Sequence, residues 1–317
     1  MQTLDLTLLV KTYIRPMCLE NFLKSVVEYQ KVWDIKFSDI VIIDDSDDEN
    51  NNENLNIINK YGDLNITYKH YEYSSLGLSK GRNVGLEFIK TAYFIYCDDD
   101  YIFDLDCDIN KNYNFAKNNK YIDILGGYCK QIKSLETKKF SKINWIGFIQ
   151  ENEEYDLCNI YEDIFPDLMK CDILLNFYIA KTESIKKVGY PEEYTTNEHN
   201  FVFYRFKKAN FEVYSTNKLF VKHFHVSNNK KSKIYTDHRS KFVNPYKKLV
   251  IGIVSTKNNL IRFDDYSLGH PEKYISENNN KKYRFKLNLL ICKIDVYMSL
   301  LKTIDKLINK LKKTKSI

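Results

Sequence analysis

Three short apolar runs, each ending in polar residues, constrain the fold of this chain more than any other feature. The runs are Leu6–Val10, Ile40–Ile43 and Tyr93–Cys97, and amphipathic helical patterns separate them. Apolar runs of this length between polar residues predict buried strands. Strands that alternate with helices predict a parallel sheet with crossover helices. The polar ends of the three runs should therefore meet at one edge of the sheet, where such folds bind ligands.

The rest of the chain predicts further helices and strands of an α/β fold. Helices are predicted at Leu19–Trp33, Leu55–Tyr61, Ser79–Ile89 (with Ser79 near its N-cap), Thr182–Val188 and Asn197–Ala209. Additional strands are predicted at Ile66–Tyr71, Ile122–Gln131, Asp172–Ala180, Phe211–Tyr214 and Leu219–Phe224. The Asn- and Glu-rich stretch 48–54 predicts a loop, and residues 132–170 carry no clear pattern.

The third apolar run stops at three consecutive carboxylates, Asp98, Asp99 and Asp100. Alternate side chains of an extended chain share a face, which predicts that Asp98 and Asp100 project together and Asp99 projects away. Two adjacent carboxylates repel unless a cation lies between them, and hard oxygen ligands suit Mg²⁺ or Mn²⁺. The triplet therefore predicts a site for a metal and a diphosphate. A solvated acidic turn after a core strand is the alternative, and the triplet alone leaves both open.

Composition excludes several classes of protein. At 317 residues, 44% of them hydrophobic, the chain can bury a full core. Seven scattered cysteines without C-x-x-C spacing argue against a zinc ribbon or a disulfide framework and fit a reducing compartment. No signal peptide pattern opens the chain, and no apolar run approaches the ~20 residues of a transmembrane helix. We therefore expect a cytoplasmic protein.

The net charge of +6 comes from the end of the chain. Residues 281–317 contain eleven Lys and Arg and two Asp, which leaves 37 basic and 40 acidic residues, a net charge of −3, in 1–280. From Leu290 to Leu311 apolar residues recur at four- and three-residue spacing, which predicts a basic amphipathic helix within 283–317. We expect this helix to bind the anionic inner face of the membrane. Coiled-coil association into a homodimer and packing on its own domain remain alternatives, and nucleic acid is not expected as a partner because the body has no basic stripe.

Four motifs resemble those of glycosyltransferase family 2, whose members have the GT-A fold. They are Leu9–Pro16 (LVKTYIRP), Ile42–Ser46 (IIDDS), Gly77–Gly85 (GLSKGRNVG) and Asp98–Asp100. These are similar to the family's donor loop, its second-strand acidic pair, its small-x-x-R-N-x-G segment and its D-x-D. Downstream, the segments that resemble the β-1,4-N-acetylgalactosaminyltransferase branch are Leu175–Thr182, Val188–Tyr190 and Asn197–Phe201.

The resemblance covers about residues 6–225 and implies an α/β, Rossmann-like, mostly parallel sheet flanked by helices. On this basis we expect a GT-A domain at 1–255, an irregular segment and linker at 256–282 and the amphipathic helix at 283–317. The implied activity is an inverting, metal-dependent transfer from a UDP-sugar, such as UDP-GalNAc or UDP-galactose, with Mn²⁺ or Mg²⁺. The implied acceptor is a glycan or glycolipid of a growing surface glycan such as capsule or lipooligosaccharide. A non-catalytic nucleotide- or carbohydrate-binding protein on a degenerate fold is the alternative.

The resemblance also implies roles for individual residues. The expected donor-binding residues are Thr12, Tyr13, Arg15, Asp44, Asp45, Arg82, Asn83, Asp98 and Asp99. The expected metal ligands are Asp98, Asp100, His223 and His225. Glu198 is expected to take the proton of the acceptor hydroxyl, with His199 as its competitor. Thr195 and Glu198 also have capping-box spacing, which predicts Thr195 at the N-cap and Glu198 at N3 of a helix.

Overall fold

This computed structural model describes seven segments of the chain. They are residues 1–132, 140–150, 157–163, 165–192, 198–224, 249–255 and 260–265. All of them belong to one compact unit, Met1–Gly269. The predicted amphipathic helix at 283–317 lies outside the described residues, as does most of the predicted linker.

The described residues contain six helices and fourteen strands, a mixed α/β composition that confirms the predicted fold class. The helices are α1 (Pro16–Trp33), α2 (Asp48–Lys60), α3 (Gly77–Phe88), α4 (Ile109–Asn118), α5 (Thr182–Val188) and α6 (His199–Lys208). The strands are β1 (Gln2–Thr12), β2 (Ile35–Asp44), β3 (Ile66–His70), β4 (Tyr93–Asp98), β5 (Tyr101–Ile102), β6 (Ile124–Ile132), β7 (Phe140–Ile143), β8 (Trp145–Gln150), β9 (Leu157–Asp163), β10 (Met169–Lys170), β11 (Tyr178–Lys181), β12 (Val213–Phe224), β13 (Leu249–Ser255) and β14 (Leu260–Asp265). Among these elements, none of the helices has the length and apolar character to cross a membrane.

The first half of the chain builds the parallel half of a ten-stranded sheet. Its strands lie in the order β4-β1-β2-β3, and each pair is parallel. Leu8 and Val10 of β1 belong to the core that includes α1, whereas Leu9 belongs to the core on the other face with α3. Because the sheet is covered on both faces, β1 is apolar at successive positions rather than at alternate ones.

Two glycines allow α3 to lie against β1. A Cβ on Gly81 would stand 2.6 Å from Lys11 Cδ, and a Cβ on Gly85 would overlap Leu9 Cδ1. Residues four apart share one face of a helix, so the two glycines form a smooth surface toward the strand. This close approach explains the glycines of the GLSKGRNVG motif and holds Arg82 against the sheet.

The second half of the chain completes the sheet with mixed pairing. β11 lies antiparallel between β4 and β6, and β12 runs parallel to β6. β5 pairs with the end of β12, which places His223 opposite Tyr101, next to the aspartate triplet. A separate four-stranded sheet has the order β14-β13-β9-β8. β7 to β10 arise from residues 132–170, and β14 lies within the segment 256–282 that was expected to be irregular.

Several predicted boundaries are wrong for local reasons. The stretch 48–54 belongs to α2 rather than to a loop, because the Asp47 carboxylate caps the helix by accepting from the Asn50 amide over 2.9 Å. The strand predicted at Asp172–Ala180 begins only at Tyr178. The two strands predicted at 211–224 form one strand, β12, whose register with β6 shifts between Ser215 and Phe220.

Candidate active site

The carboxyl ends of β1, β2 and β4 meet at one edge of the sheet, as predicted. In the strand register Thr12 pairs with Asp44, and Lys11 pairs with Asp98. The acidic pair at the end of β2 and the triplet at the end of β4 therefore lie on either side of the end of β1. This edge is where parallel α/β sheets bind their ligands.

Arg15 binds two of the three aspartates. Its Nη1 donates to Asp100 Oδ2 over 2.8 Å, and its Nη2 pairs with Asp99 Oδ1. Asp99 also accepts a hydrogen bond of 2.7 Å from Thr12 Oγ1. β4 ends at Asp98 and a turn follows, so strand alternation does not continue through the triplet. The prediction that Asp99 projects away from Asp100 is therefore wrong, since both bind one guanidinium.

Burial and charge give the three carboxyl groups different pKa values. Burial, together with the charge of Asp100, raises the pKa of Asp98. Burial raises the pKa of Asp99 to about 7. Burial also disfavours the charge of Asp100, but the Arg15 guanidinium and the His223 hydrogen bond outweigh it and lower the pKa of Asp100 to about 2. Asp100 is thus the most firmly ionised member of the triplet.

Asp98 accepts hydrogen bonds from two side chains without a predicted role. The Tyr96 hydroxyl donates to Oδ1 over 2.9 Å, and the Asn176 amide donates to Oδ2 over 3.3 Å. The Tyr96 hydroxyl itself accepts a hydrogen bond of 2.6 Å from Arg82 Nε. Asp98 therefore connects the triplet to the buried side chains around Arg82.

His223 lies at the end of β12 beside Asp100. Its Nε2 is 3.6 Å from Asp100 Oδ2, and its ring meets Tyr101 edge-on with 5.5 Å between centroids. Burial acts to lower the pKa of His223, but the hydrogen bond and charge of Asp100 raise it overall. His225, the other predicted histidine, lies outside the described residues.

The side chains of the triplet, as folded, do not fit Mn²⁺ or Mg²⁺. Across the described ranges no three His, Cys, Asp or Glu side chains are grouped so as to hold a metal ion. Arg15 already lies between Asp99 and Asp100, and Asp98 is taken by Tyr96 and Asn176. A divalent ion needs oxygens directed at one point, and here at least one oxygen of each aspartate is directed at a protein donor.

Asp44 binds donors of the protein itself. Its carboxylate accepts hydrogen bonds from the amide and hydroxyl of Ser46, from Asn54 and from the Tyr68 hydroxyl. A carboxylate has about four lone-pair sites, so these four bonds fill its capacity. Asp44 is also fully buried. These contacts favour a role in fixing the loop after β2 over the expected direct contact with the donor.

Asp45 holds the start of α3. It pairs with the buried Lys11 ammonium, and its Oδ2 accepts hydrogen bonds of 3.0 Å from the Leu76 and Gly77 amides. A carboxylate at a helix N-terminus satisfies backbone amides that have no partner within the helix. The N-cap residue is Leu76, so the predicted capping role of Ser79 is wrong.

Tyr13 stacks on Tyr73 at the rim of the site. The ring centroids are 6.0 Å apart with 16° between the planes, and Tyr73 is 52% exposed. Burial, with the hydrogen bond to Tyr73, raises the pKa of Tyr13 to about 12. The next residue, Ile14, has a φ of 48°, and its amide donates to Ser46 Oγ over 2.7 Å. That bond fixes the turn from Tyr13 to Arg15.

Arg82 is buried and pairs with Glu198. The two side chains are 2% and 3% exposed, and the guanidinium carbon lies 4.5 Å from the centre of the Tyr96 ring. Burial acts against the charge of Arg82, but the Glu198 carboxylate outweighs it and raises the pKa of Arg82. Glu198 is itself the N-cap residue of α6, and its side chain makes no capping hydrogen bond. The predicted N3 position is therefore wrong, and Thr195 lies outside the described residues.

Asn83 binds the backbone after α5. Its Nδ2 donates to the Tyr190 carbonyl over 2.9 Å, and its Oδ1 accepts from the Tyr190 amide over 2.7 Å. Gly189 has a φ of 68°, which a side chain would strain, and this lets the chain turn toward Asn83. These contacts give Asn83 a structural role, and its expected contact with the donor stays a prediction.

His199 is connected to Asp98 through Asn176. Its Nδ1 lies 2.9 Å from Asn176 Oδ1, and the amide nitrogen of Asn176 faces Asp98. Burial lowers the pKa of His199 to about 4, so its imidazole is neutral at neutral pH. Glu198 is buried at 2% exposure, whereas His199 is half-buried. Of the two expected bases, His199 is the more accessible.

Sequence reasoning missed Asn176, Tyr96 and Lys11 as members of this site. Lys11 could have been found from its position. It directly follows the apolar run Leu6–Val10, and a lysine buried there needs an anion as its partner. The only sequence feature that pointed to Asn176 was its position within the segment Leu175–Thr182. Its partner Asp98 lies 78 positions earlier in the chain, and no local spacing predicts that contact.

Comparison with known proteins identifies a family. The model described as Glycosyl transferase family 2 matches residues 7–169. The matched range is about half of the chain and contains Arg15, Arg82 and the aspartate triplet. Asn176, the α6 residues and His223 lie beyond it.

Individual relatives are distant. Mouse beta-1,4 N-acetylgalactosaminyltransferase 2 is 24% identical over 198 residues, which are 58% of this chain and 32% of that protein. The chain therefore spans about a third of this relative. The crystal structure of S. aureus TarS 1–349 has a TM-score of 0.47 at 18% identity and covers 70% of this chain and 60% of that one. Its complex with UDP-GlcNAc has a TM-score of 0.48 at 17% identity, with coverages of 77% and 62%.

Proposed function

This chain belongs to glycosyl transferase family 2, and we propose that it is an inverting glycosyltransferase that uses a UDP-sugar. The observation that carries the proposal is the meeting of Tyr13, Arg15 and Asp98–Asp100 at the carboxyl edge of the parallel sheet. A guanidinium binds phosphate oxygens, and an exposed aromatic ring offers a stacking surface for a base. The site thus contains the two groups that a nucleoside diphosphate needs.

The reaction is a single displacement. The oxygen of an acceptor hydroxyl attacks C1 of the donor sugar, and the bond from C1 to the diphosphate oxygen breaks with its electrons on UDP. Negative charge develops on the departing diphosphate, and Arg15 at the start of α1 is placed to stabilise it. The hydroxyl proton passes to a base on the other side of the sugar.

We assign the base to His199 rather than to the expected Glu198. Asp98 is an acceptor when it is ionised, so Asn176 must direct its NH₂ group there and its oxygen toward His199. His199 Nδ1 then donates to that oxygen, which leaves the lone pair of Nε2 to accept the proton. Glu198 instead neutralises Arg82 inside the domain.

Members of family 2 commonly use a divalent metal, and Mn²⁺ or Mg²⁺ was expected here. Bound between Asp98 and Asp100, such an ion would stabilise the charge of the leaving diphosphate. The contacts of the triplet do not fit it, so the proposed reaction takes no step through a metal. Arg15 supplies the positive charge instead.

We propose N-acetylgalactosamine or galactose as the donor sugar, on the support of the mouse relative's name and the sequence resemblance. The proposed acceptor is a lipid-linked or surface glycan, as in capsule or lipooligosaccharide assembly.

We further propose a cytoplasmic protein held at the inner membrane face by residues 283–317, because the positive charge of the chain is concentrated there. If full-length protein sediments equally with neutral and anionic vesicles, the membrane proposal fails.

A panel of UDP-sugars tests the activity. The full chain is incubated with each donor and candidate glycan acceptors, and released UDP is measured. We expect one donor to give acceptor-dependent release that Asp100→Asn lowers at least tenfold. Asp106→Asn is the matched control, because Asp106 is close in sequence and its side chain is 85% exposed. Donor binding without release with any acceptor would favour the non-catalytic binding protein.

A further inference from the structure

Arg15 lies between two carboxylates of the triplet. Its guanidinium joins Asp99 and Asp100, whose side chains are 0% and 15% exposed, and the Arg15 side chain is itself 31% exposed. The planar fork of an arginine can bind two carboxylate groups at once with charge-assisted hydrogen bonds. We propose that Arg15 is the permanent cation of the triplet and closes the Asp99–Asp100 pair to divalent ions.

The backbone around Arg15 fixes it beside the triplet. The Arg15 carbonyl accepts from the amides of Cys18 and Leu19 over 3.0 and 3.2 Å, which makes Arg15 the N-cap residue of α1. Pro16 follows at the first helical position and restricts the chain there. On the other side, the Ile14 amide donates to Ser46 Oγ. The guanidinium is therefore tethered at a high effective concentration, against which a dissolved metal ion must compete.

Arg15 also weakens the attraction of the triplet for a metal ion. Adjacent carboxylates attract a cation because their charges repel, and an ion pair with Arg15 relieves that repulsion. A metal would have to break both ion pairs and take over Asp98 from Tyr96 and Asn176. The consequence for the reaction rests on the proposed function. UDP would contact the Arg15 guanidinium rather than a metal ion. We therefore expect a chelator to leave UDP binding unchanged.

Calorimetric titration with Mn²⁺ alone tests the proposal. We expect no saturable binding by the wild-type chain, and in Arg15→Gln a new single site that binds Mn²⁺ at least tenfold more tightly than the weakest affinity that the titration detects. Adding Asp100→Asn to Arg15→Gln should abolish the new site. Arg205→Gln, the same change at an exposed position of α6, should behave as the wild type.

Two results would overturn the proposal. One is a wild-type chain that itself binds one Mn²⁺ in a saturable titration, and this result needs no folded variant. The other is a folded Arg15→Gln, with unchanged thermal unfolding, that gains no Mn²⁺ affinity. Arg15→Lys is the second variant: it keeps the positive charge but lacks the planar fork that donates to both carboxylates, so we expect an intermediate affinity. The Mn²⁺ titration contains no donor. Its result therefore does not depend on whether the proposed transferase activity is found.

Discussion

Arg82 and Glu198, 116 positions apart in the chain, form an ion pair that is almost completely buried. The pair joins α3 to the start of α6, and through Tyr96 it reaches Asp98 of the triplet. One side of the site is thereby tied to the interior of the domain. The stability of the domain and the geometry of the site thus depend on the same side chains.

Removing Arg82 should strongly destabilise the domain. Arg82→Met leaves the Glu198 carboxylate buried without its partner, and loss of one member of a buried pair costs about 3–5 kcal/mol. Lys60→Met is the matched control, because Lys60 pairs with Glu20 on the surface at 61% and 40% exposure. Exposed pairs contribute at most about 1 kcal/mol. Urea denaturation measures both free energies of unfolding, and equal losses would contradict this account.

Substitution of His199 should reduce turnover more than it reduces donor binding. General bases contribute roughly 10²–10⁴-fold, so His199→Gln should lower kcat by at least about 100-fold with little change in the KM for the donor. Glu198→Gln should act mainly through stability, because Glu198 faces Arg82. Steady-state kinetics on variants of confirmed fold separate the two. A folded Glu198→Gln with the larger loss in kcat would restore Glu198 as the base.

Asn176 should act as a positioning residue for His199. Asn176→Leu removes the acceptor of Nδ1–H and allows the other tautomer, so we expect kcat to fall by about tenfold or more and the pH profile of kcat to shift. Asn176→Asp keeps an acceptor toward His199 and should recover part of the activity. The pH profile is decisive, because a purely structural role would lower activity without moving it.

His199 should make the protein lose stability in acid. Its folded pKa is about 4, whereas a histidine in an unfolded chain titrates near 6.5. Between these values the unfolded state binds a proton that the folded state does not, so the free energy of unfolding falls as pH drops from about 6.5 to 4. The loss is roughly 3 kcal/mol at most. Urea denaturation at several pH values should show a shallower decline for His199→Gln, and parallel curves would exclude this contribution.

Tyr73 should contribute to binding of the donor base. Base stacking on an aromatic side chain contributes about 1–3 kcal/mol, so Tyr73→Ala should weaken UDP binding roughly tenfold while Tyr73→Phe keeps it. Tyr121→Ala is the control, because Tyr121 is similarly exposed at 51% and belongs to no predicted site. Calorimetric titration with UDP gives the three affinities. Equal affinities for Tyr73→Ala and the wild type would remove Tyr73 from the site.

The sequence pattern predicted the scaffold well, because apolar runs and helical spacing depend only on residues close together in the chain. The apolar runs became β1, β2 and β4, and α5 has the predicted boundaries. Predictions failed where a tertiary partner decided the outcome. The capping bond of Asp47 makes residues 48–54 part of α2. Glu198 lies at the N-cap of α6 rather than at the predicted N3 position, and it pairs with Arg82. The order of strands in the antiparallel half had no local signal.

The sequence by itself determined the α/β class, the edge of the sheet where the site lies and the residues that gather there. Those features follow from the periodicity of side chains and from the rule that parallel strands end together. Only the tertiary structure decided what each polar group faces. Asp44 and Asp45 bind protein donors, His199 meets Asn176, and Arg15 lies between Asp99 and Asp100. The physical reason is that buried charges must find partners, and those partners come from elements far apart in the chain.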